Sequence, residues 1–159
     1  MAQNWQVSTG LIAYMAGTGS AQAALAGGFI DFYDGSAGIP ATADAAALGT
    51  KILRLYNNAV GQPANTTGLT LDNPVSNAPD GVTLSKPAAE VWSGPGLATL
   101  QAAYARFVAP GDTGAASTTQ RRIQGVCGLA GADINMLTLQ ITNGVVATMD
   151  SFSWTIPAN

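Results

Sequence analysis

Histidine is absent from the 159-residue sequence, and cysteine occurs once, as Cys127. Without histidine there is no Ser-His-Asp or Cys-His nucleophile system and no His-ligated metal. A single cysteine allows neither an internal disulfide nor a thiolate zinc cluster. Cys127 itself reads as a small hydrophobe in a strand. Charge is also scarce: charged residues make up 9% of the chain, against roughly 25% in an average soluble domain. The first charge is Asp31, the only lysines are Lys51 and Lys86, and the net charge is −3. Nucleic-acid binding needs clustered Lys and Arg, so no nucleic-acid partner is expected. The uncharged first 30 residues lack the basic start of a secretory signal. Gly17-Thr18-Gly19-Ser20 and Gln22 interrupt them, leaving less than the roughly 20 apolar residues of a membrane helix. No membrane partner is expected.

Scarcity of charge carries a positive implication. A surface of Ala, Gly, Ser, Thr, Asn and Gln packs against other protein without the cost of desolvating ions. Such a surface fits a chain that assembles, and equally a neutral, glycine-rich β-domain.

What is present argues for one folded domain. Hydrophobic residues form 47% of the chain, and the length suffices for a real core. The start predicts a helix capped by Ser8 or Thr9, with Leu11, Ile12, Tyr14 and Met15 as its apolar stripe. Ala23, Ala24 and Leu25 continue the stripe, internal glycines divide it into two pieces, and Gly27 ends it. Short β-prone runs then follow at 29–33, 51–56, 69–71, 82–84, 88–92, 103–108, 121–127 and 137–141. Asn143-Gly144 is a type I′ hairpin signal, with a return strand from Val145. Phe152, Trp154 and Ile156 alternate with Ser151, Ser153 and Thr155, the period of a half-buried strand. Short strands with turn signals between them predict a mainly β fold, an antiparallel β-sandwich or jelly-roll-like domain with an N-terminal α-helical segment. The expected division is residues 1–27 as a helical assembly segment and 28–159 as the β-sandwich domain.

Candidate chemistry is thin. Asp34, Asp44, Asp72, Asp80, Asp112, Asp133 and Asp150 sit at or near expected turns. Asp favours turns because it bonds nearby backbone N–H groups, which outweighs a general acid–base pair. The acids match no calcium-loop pattern. Gly125 to Gly131 is glycine-rich but does not open a helix after a strand, so a phosphate or dinucleotide site is not expected. Arg121 and Arg122 would point to opposite faces of a strand, one pairing with an Asp such as Asp133 and the other facing solvent or a partner. The three Trp and four Tyr read as core before they read as a sugar platform. No catalytic residue, cofactor or metal is assigned.

Several spaced segments belong together. They are 29–35 (FIDFYDG), 40–46 (PATADAA), 103–107 (AYARF), 117–125 (STTQRRIQG), 131–135 (GADIN), 149–152 (MDSF) and Ile156-Pro157. This arrangement resembles a family of small proteins encoded in tailed bacteriophages and prophages, treated as virion structural proteins. The likeness spans most of residues 8–157. It implies a non-enzymatic protein, made in the host cytoplasm and located in the virion. The implied role is a capsid decoration or cement protein that binds the major capsid protein or other virion proteins. The implied state is a homo-oligomer, a trimer by the habit of decoration proteins. A tail, neck or fibre-base component is the second reading, and a carbohydrate-binding module on the tail the third. Trp5, Leu11, Tyr14 and Met15 are expected to form one protein-contact surface. Deletion of residues 1–26 is then expected to abolish incorporation and leave a soluble β-domain.

Overall fold

The structure is a computed structural model that describes residues 4–77 and 81–157. The chain enters through a two-residue strand, β1 (Gln6–Val7). Helix α1 (Thr9–Gly17) begins at Ser8, whose Oγ accepts the Leu11 N–H at 3.2 Å. Helix α2 (Ala21–Leu25) begins at Ser20, whose Oγ accepts the Ala23 N–H at 3.1 Å. Gly27, at φ 76°, turns the chain into the sheet.

The remaining elements are strands. They are β2 (Phe29–Asp34), β3 (Lys51–Asn57), β4 (Val75–Asn77), β5 (Gly81–Ser85), β6 (Trp92–Pro95) and β7 (Leu100–Val108). After these come β8 (Arg122–Gly128), β9 (Ile134–Asn135), β10 (Gln140–Ile141), β11 (Val146–Met149) and β12 (Ser153–Pro157). The large sheet runs β1-β8-β7-β2-β3-β6-β11, with β10 added on β7 and β9 on β8. A second sheet runs β12-β5-β4. All strand pairs are antiparallel except the short β8–β9 pair. The fold is mainly β with two helices, as the sequence predicts.

Period-two alternation gives the large sheet two unlike faces. Ile30 and Phe32 of β2, Leu53 and Leu55 of β3, Phe107 of β7 and Ile123 of β8 enter one apolar core. Leu84 and Trp154 of the second sheet join the same core. Trp92, Phe107 and Phe152 meet pairwise at 5.5 to 5.9 Å between ring centroids. On the opposite face lie Asp31, Tyr33, Arg106, Arg122 and Gln124, all buried as well.

That polar face is dry because residues 35–50 cross it. Arg106 donates to Ala45 O at 2.9 Å and to Thr42 O at 3.4 Å. Arg122 donates to Ala43 O, and Gln124 to Pro40 O. The Tyr104 hydroxyl donates to Leu48 O and accepts from Leu48 N, both at 2.8 Å. Gly49, at φ 77°, closes the crossing against the Asp34 carboxylate, where no Cβ fits. No helix forms in this alanine-rich stretch. The stretch bends instead, with Gly38 N–H donating to Gly35 O at 3.0 Å and Ala45 N–H to Thr42 O at 3.3 Å, and side chains of β7 and β8 take several of its carbonyls.

Three local expectations change. The run 69–71 makes only an isolated bridge, Leu69 with Gly28. The run 88–92 gives way to β6, which starts at Trp92. Asn143-Gly144 does turn the chain, with Val145 N–H donating to Thr142 O at 3.1 Å. Only Gly144 has positive φ there, so the turn has the type II pattern and does not make a hairpin. The strands on either side diverge: β10 pairs with β7 and β11 with β6.

The N-terminal segment shares this core. Leu11, Ala21, Ala24 and Leu25 are buried in it. The Ser8 Oγ accepts from Arg122 N and donates to Gln120 O, both at 2.8 Å. Each large apolar side chain so buried contributes about 1.5–3 kcal/mol. Residues 8–25 are therefore built into the domain, and removing them would open its core.

Candidate functional site

The four residues expected to form a contact surface do not lie on one. Leu11 is fully buried. Trp5 is half-buried, edge-on to Phe152 at 5.6 Å, and its ring lies over Gly125. Tyr14 is half-buried beneath the Arg121 guanidinium, 4.9 Å from the ring centroid. Met15 is half-buried against the core. Among the described residues of this segment, the large apolar side chain presented to solvent is Ile12. The helix is too short and too closely seated for its whole stripe to face outward.

Most of the charged groups are committed within the fold. Arg54 grips Asp31 through Nε at 2.5 Å and Nη2 at 2.6 Å, with Lys51 at 3.3 Å. The hydrogen bonds to Asp31 raise the Arg54 guanidinium above its ordinary pKa. Arg122 pairs with Asp112, not with Asp133, and both side chains are out of water. Asp133 instead accepts the Asn4 and Val126 backbone N–H groups. Asp44 accepts from Thr9, and Glu90 from Thr70 and the Trp92 indole. Among the described residues Arg106 has no carboxylate partner, and burial lowers its pKa. The Ser36 side chain and the Thr50 N–H hold Asp34 below the usual carboxylate range. Burial raises the Tyr33 and Tyr104 phenols. It also pushes the Cys127 thiol up to about 12, with the Asp133 charge adding to the effect. Asp80 lies outside the described residues. Among the described residues, no three His, Cys, Asp or Glu side chains gather as metal ligands. No helix among them is long and apolar enough to cross a membrane.

Two concavities stand out among the described residues. One, of about 570 Å³, lies along β8 between Asn4, Gln6, Gln124 and Asp133. Trp5 Nε1 is buried without a hydrogen-bond partner among the described residues. The other, of about 600 Å³, runs beneath residues 135–151. Buried Phe32, Leu53 and Leu55 line its depth, and Asp150 is the only charged residue that touches it. Its exposed margin mixes uncharged polar residues such as Asn135, Thr138, Gln140 and Thr148 with Leu129, Leu137, Val145 and Val146, which are all more than half exposed, Leu137 fully so. No charged residue occurs from Ile134 to Met149. The groove ends at β11, the last strand of the large sheet.

Comparison with protein-family models, curated proteins and solved structures finds no match to this chain. The groove and its margin therefore stand on their own chemistry. They offer apolar area and backbone hydrogen-bonding groups and no reactive side chain, which suits holding another protein surface. Sequence reasoning missed this site because residues 137–156 read as one regular strand–turn–strand unit. The signal that marks it is the uncharged run from Ile134 to Met149, between Asp133 and Asp150.

Proposed function

We propose that the chain is a non-enzymatic structural protein of a tailed-phage particle, a decoration or cement protein that binds across junctions between major capsid subunits. The observation that carries this reading is the charge-poor margin of the groove under residues 135–151, where four exposed apolar side chains stand among uncharged polar ones beside the edge strand β11. A contact of this kind gains from burial without stripping water from ions. Repetition over a lattice supplies avidity, so no single contact has to be tight. The resemblance to virion proteins supplies the setting, and the assembly-type surface agrees with it. A sandwich of the two sheets belongs to the same proposal, supported by the Phe107–Phe152–Trp92 cluster and the core they share with Trp154.

The test is stoichiometry in purified particles of the phage or prophage that encodes the chain, by quantitative mass spectrometry against the major capsid protein. A copy ratio of about one, or a simple fraction of it, is expected for a shell protein. A ratio roughly a hundredfold lower would move the protein to the tail or neck, where rings hold few copies. Absence from particles would overturn the reading.

A further inference from the structure

The sheet edges are not equally guarded. Free edges invite pairing with other chains, and natural sheets blunt them with shortness, proline, charge or bulges. β1 is only two residues long. β4 has three residues and follows Pro74, and β12 ends in Pro157. β11 reads Val-Ala-Thr-Met, with no charge, proline or recorded register shift. Val146 is 64% exposed.

The direction of the β11 peptide groups can be worked out. Val146 pairs with Pro95, which has no N–H, so this is a pair without hydrogen bonds between the strands. Gly96 N–H donating to Val145 O agrees with that phase. Ala147 with Gly94 and Met149 with Trp92 then exchange the ladder bonds, and the Val146 and Thr148 peptide groups point to the outer edge.

We infer that β11 pairs antiparallel with β11 of a second copy of this chain, about a two-fold axis through Ala147. That register sets Val146 against Thr148 of the second copy and Ala147 against itself. Both outward peptide groups on each strand then find partners, and one patch serves as its own complement, as an isologous contact requires. Charge permits it. Asp150 faces Gly144 of the second copy, and the two Asp150 residues stand roughly 20 Å apart at about 3.4 Å per residue. Two copies that each carry net charge −3 thus meet where neither has a charge. Val145 and Val146 on each side add apolar area beside the seam. The inference rests on the assembly reading above and adds the partner and the register.

Sedimentation equilibrium on the full chain tests it. A concentration-dependent dimer is expected. Val146→Lys, at an exposed position that leaves the core intact, should raise the dimer dissociation constant at least tenfold with an unchanged circular dichroism spectrum. Ala147→Cys should give a disulfide-linked dimer under mild oxidation, because residues facing across such a pair stand about 4.5 Å apart at Cα. Val146→Cys should not, since its opposite number is Thr148. The native Cys127 is buried and does not compete. A chain that stays monomeric, forms a trimer, or cross-links equally through both cysteine variants would overturn the pairing. A monomer that still loads onto particles would sink the pairing and leave the proposed function standing. A β11 dimer that never enters particles would do the reverse.

Discussion

The Arg122–Asp112 pair offers the sharpest test of the buried polar layer. Both side chains are fully shielded from water. Arg122 donates Nε and Nη2 to the two Asp112 oxygens, the latter at 2.8 Å, and Gly114 N–H adds a bond at 2.7 Å. Asp112→Asn preserves the shape and removes the negative charge. The guanidinium is then left uncompensated in a dry site, which costs about 3–5 kcal/mol. A domain of this size has about 5–15 kcal/mol of stability in all. With a urea slope of about 2 kcal/mol per molar, the unfolding midpoint should fall by roughly 2 M. At about 2–4 °C per kcal/mol, Tm should fall by roughly 6–20 °C. Urea unfolding followed by tryptophan fluorescence reads this directly. Replacing the pair together, as Asp112→Leu with Arg122→Met, should recover a large part of the loss, because no charge is then stranded. A loss below about 1 kcal/mol for Asp112→Asn would refute the reasoning, since a pair that cheap to break is solvated.

Other outcomes follow from the same geometry. Leu11→Ala should destabilise the chain by about 2–5 kcal/mol in the same assay, as a core truncation does; a change within about 0.5 kcal/mol would return Leu11 to the surface. The Cys127 thiol, buried and pushed up to about 12, should resist Ellman's reagent in the native state and react after unfolding. Rapid native labelling would contradict the burial of β8. Asp34 is held below its ordinary pKa by hydrogen bonds, so its contribution to stability is complete above the unfolded value of about 3.9. It is lost as pH falls through the lower folded value. Asp34→Asn should therefore flatten the acid limb of stability against pH, and an unchanged limb would remove Asp34 as its source.

The strand alternation was legible because it depends on local burial. Phe152 and Trp154 could be placed on a buried face, with Ser151 and Ser153 on an exposed one, from spacing alone. The helix cap at Ser8 is equally local, whereas Ser20, read only as a break in the run, turns out to cap the second helix. Partner choice was not legible. Asp133 and Asp112 are both turn acids in the sequence, and only the path of residues 112–117 decides which one meets Arg122. The crossing by residues 35–50 was also hidden, because its hydrogen bonds are accepted by backbone carbonyls, which carry no sequence signal. The groove went unread for a related reason. Asn143-Gly144 marks a turn locally, whereas the parting of β10 and β11 is decided by β7 and β6, more than 30 residues earlier in the chain.

The two unlike faces of the large sheet also govern how its strands can be threaded. Slide β8 by one residue along β7 and every side chain changes sides. Arg122 and Gln124 would land among Phe107 and Ile30, while Ile123 and Cys127 would face the carbonyls of residues 40–45. In a sheet with one wet face such a slip strands apolar groups in water and little more. Here it is punished twice, by ions thrust into hydrocarbon and by acceptors left without donors. The layer of arginines is thus a key cut for a single alignment of the central strands, and a growing chain that finds any other alignment has no stable place to rest.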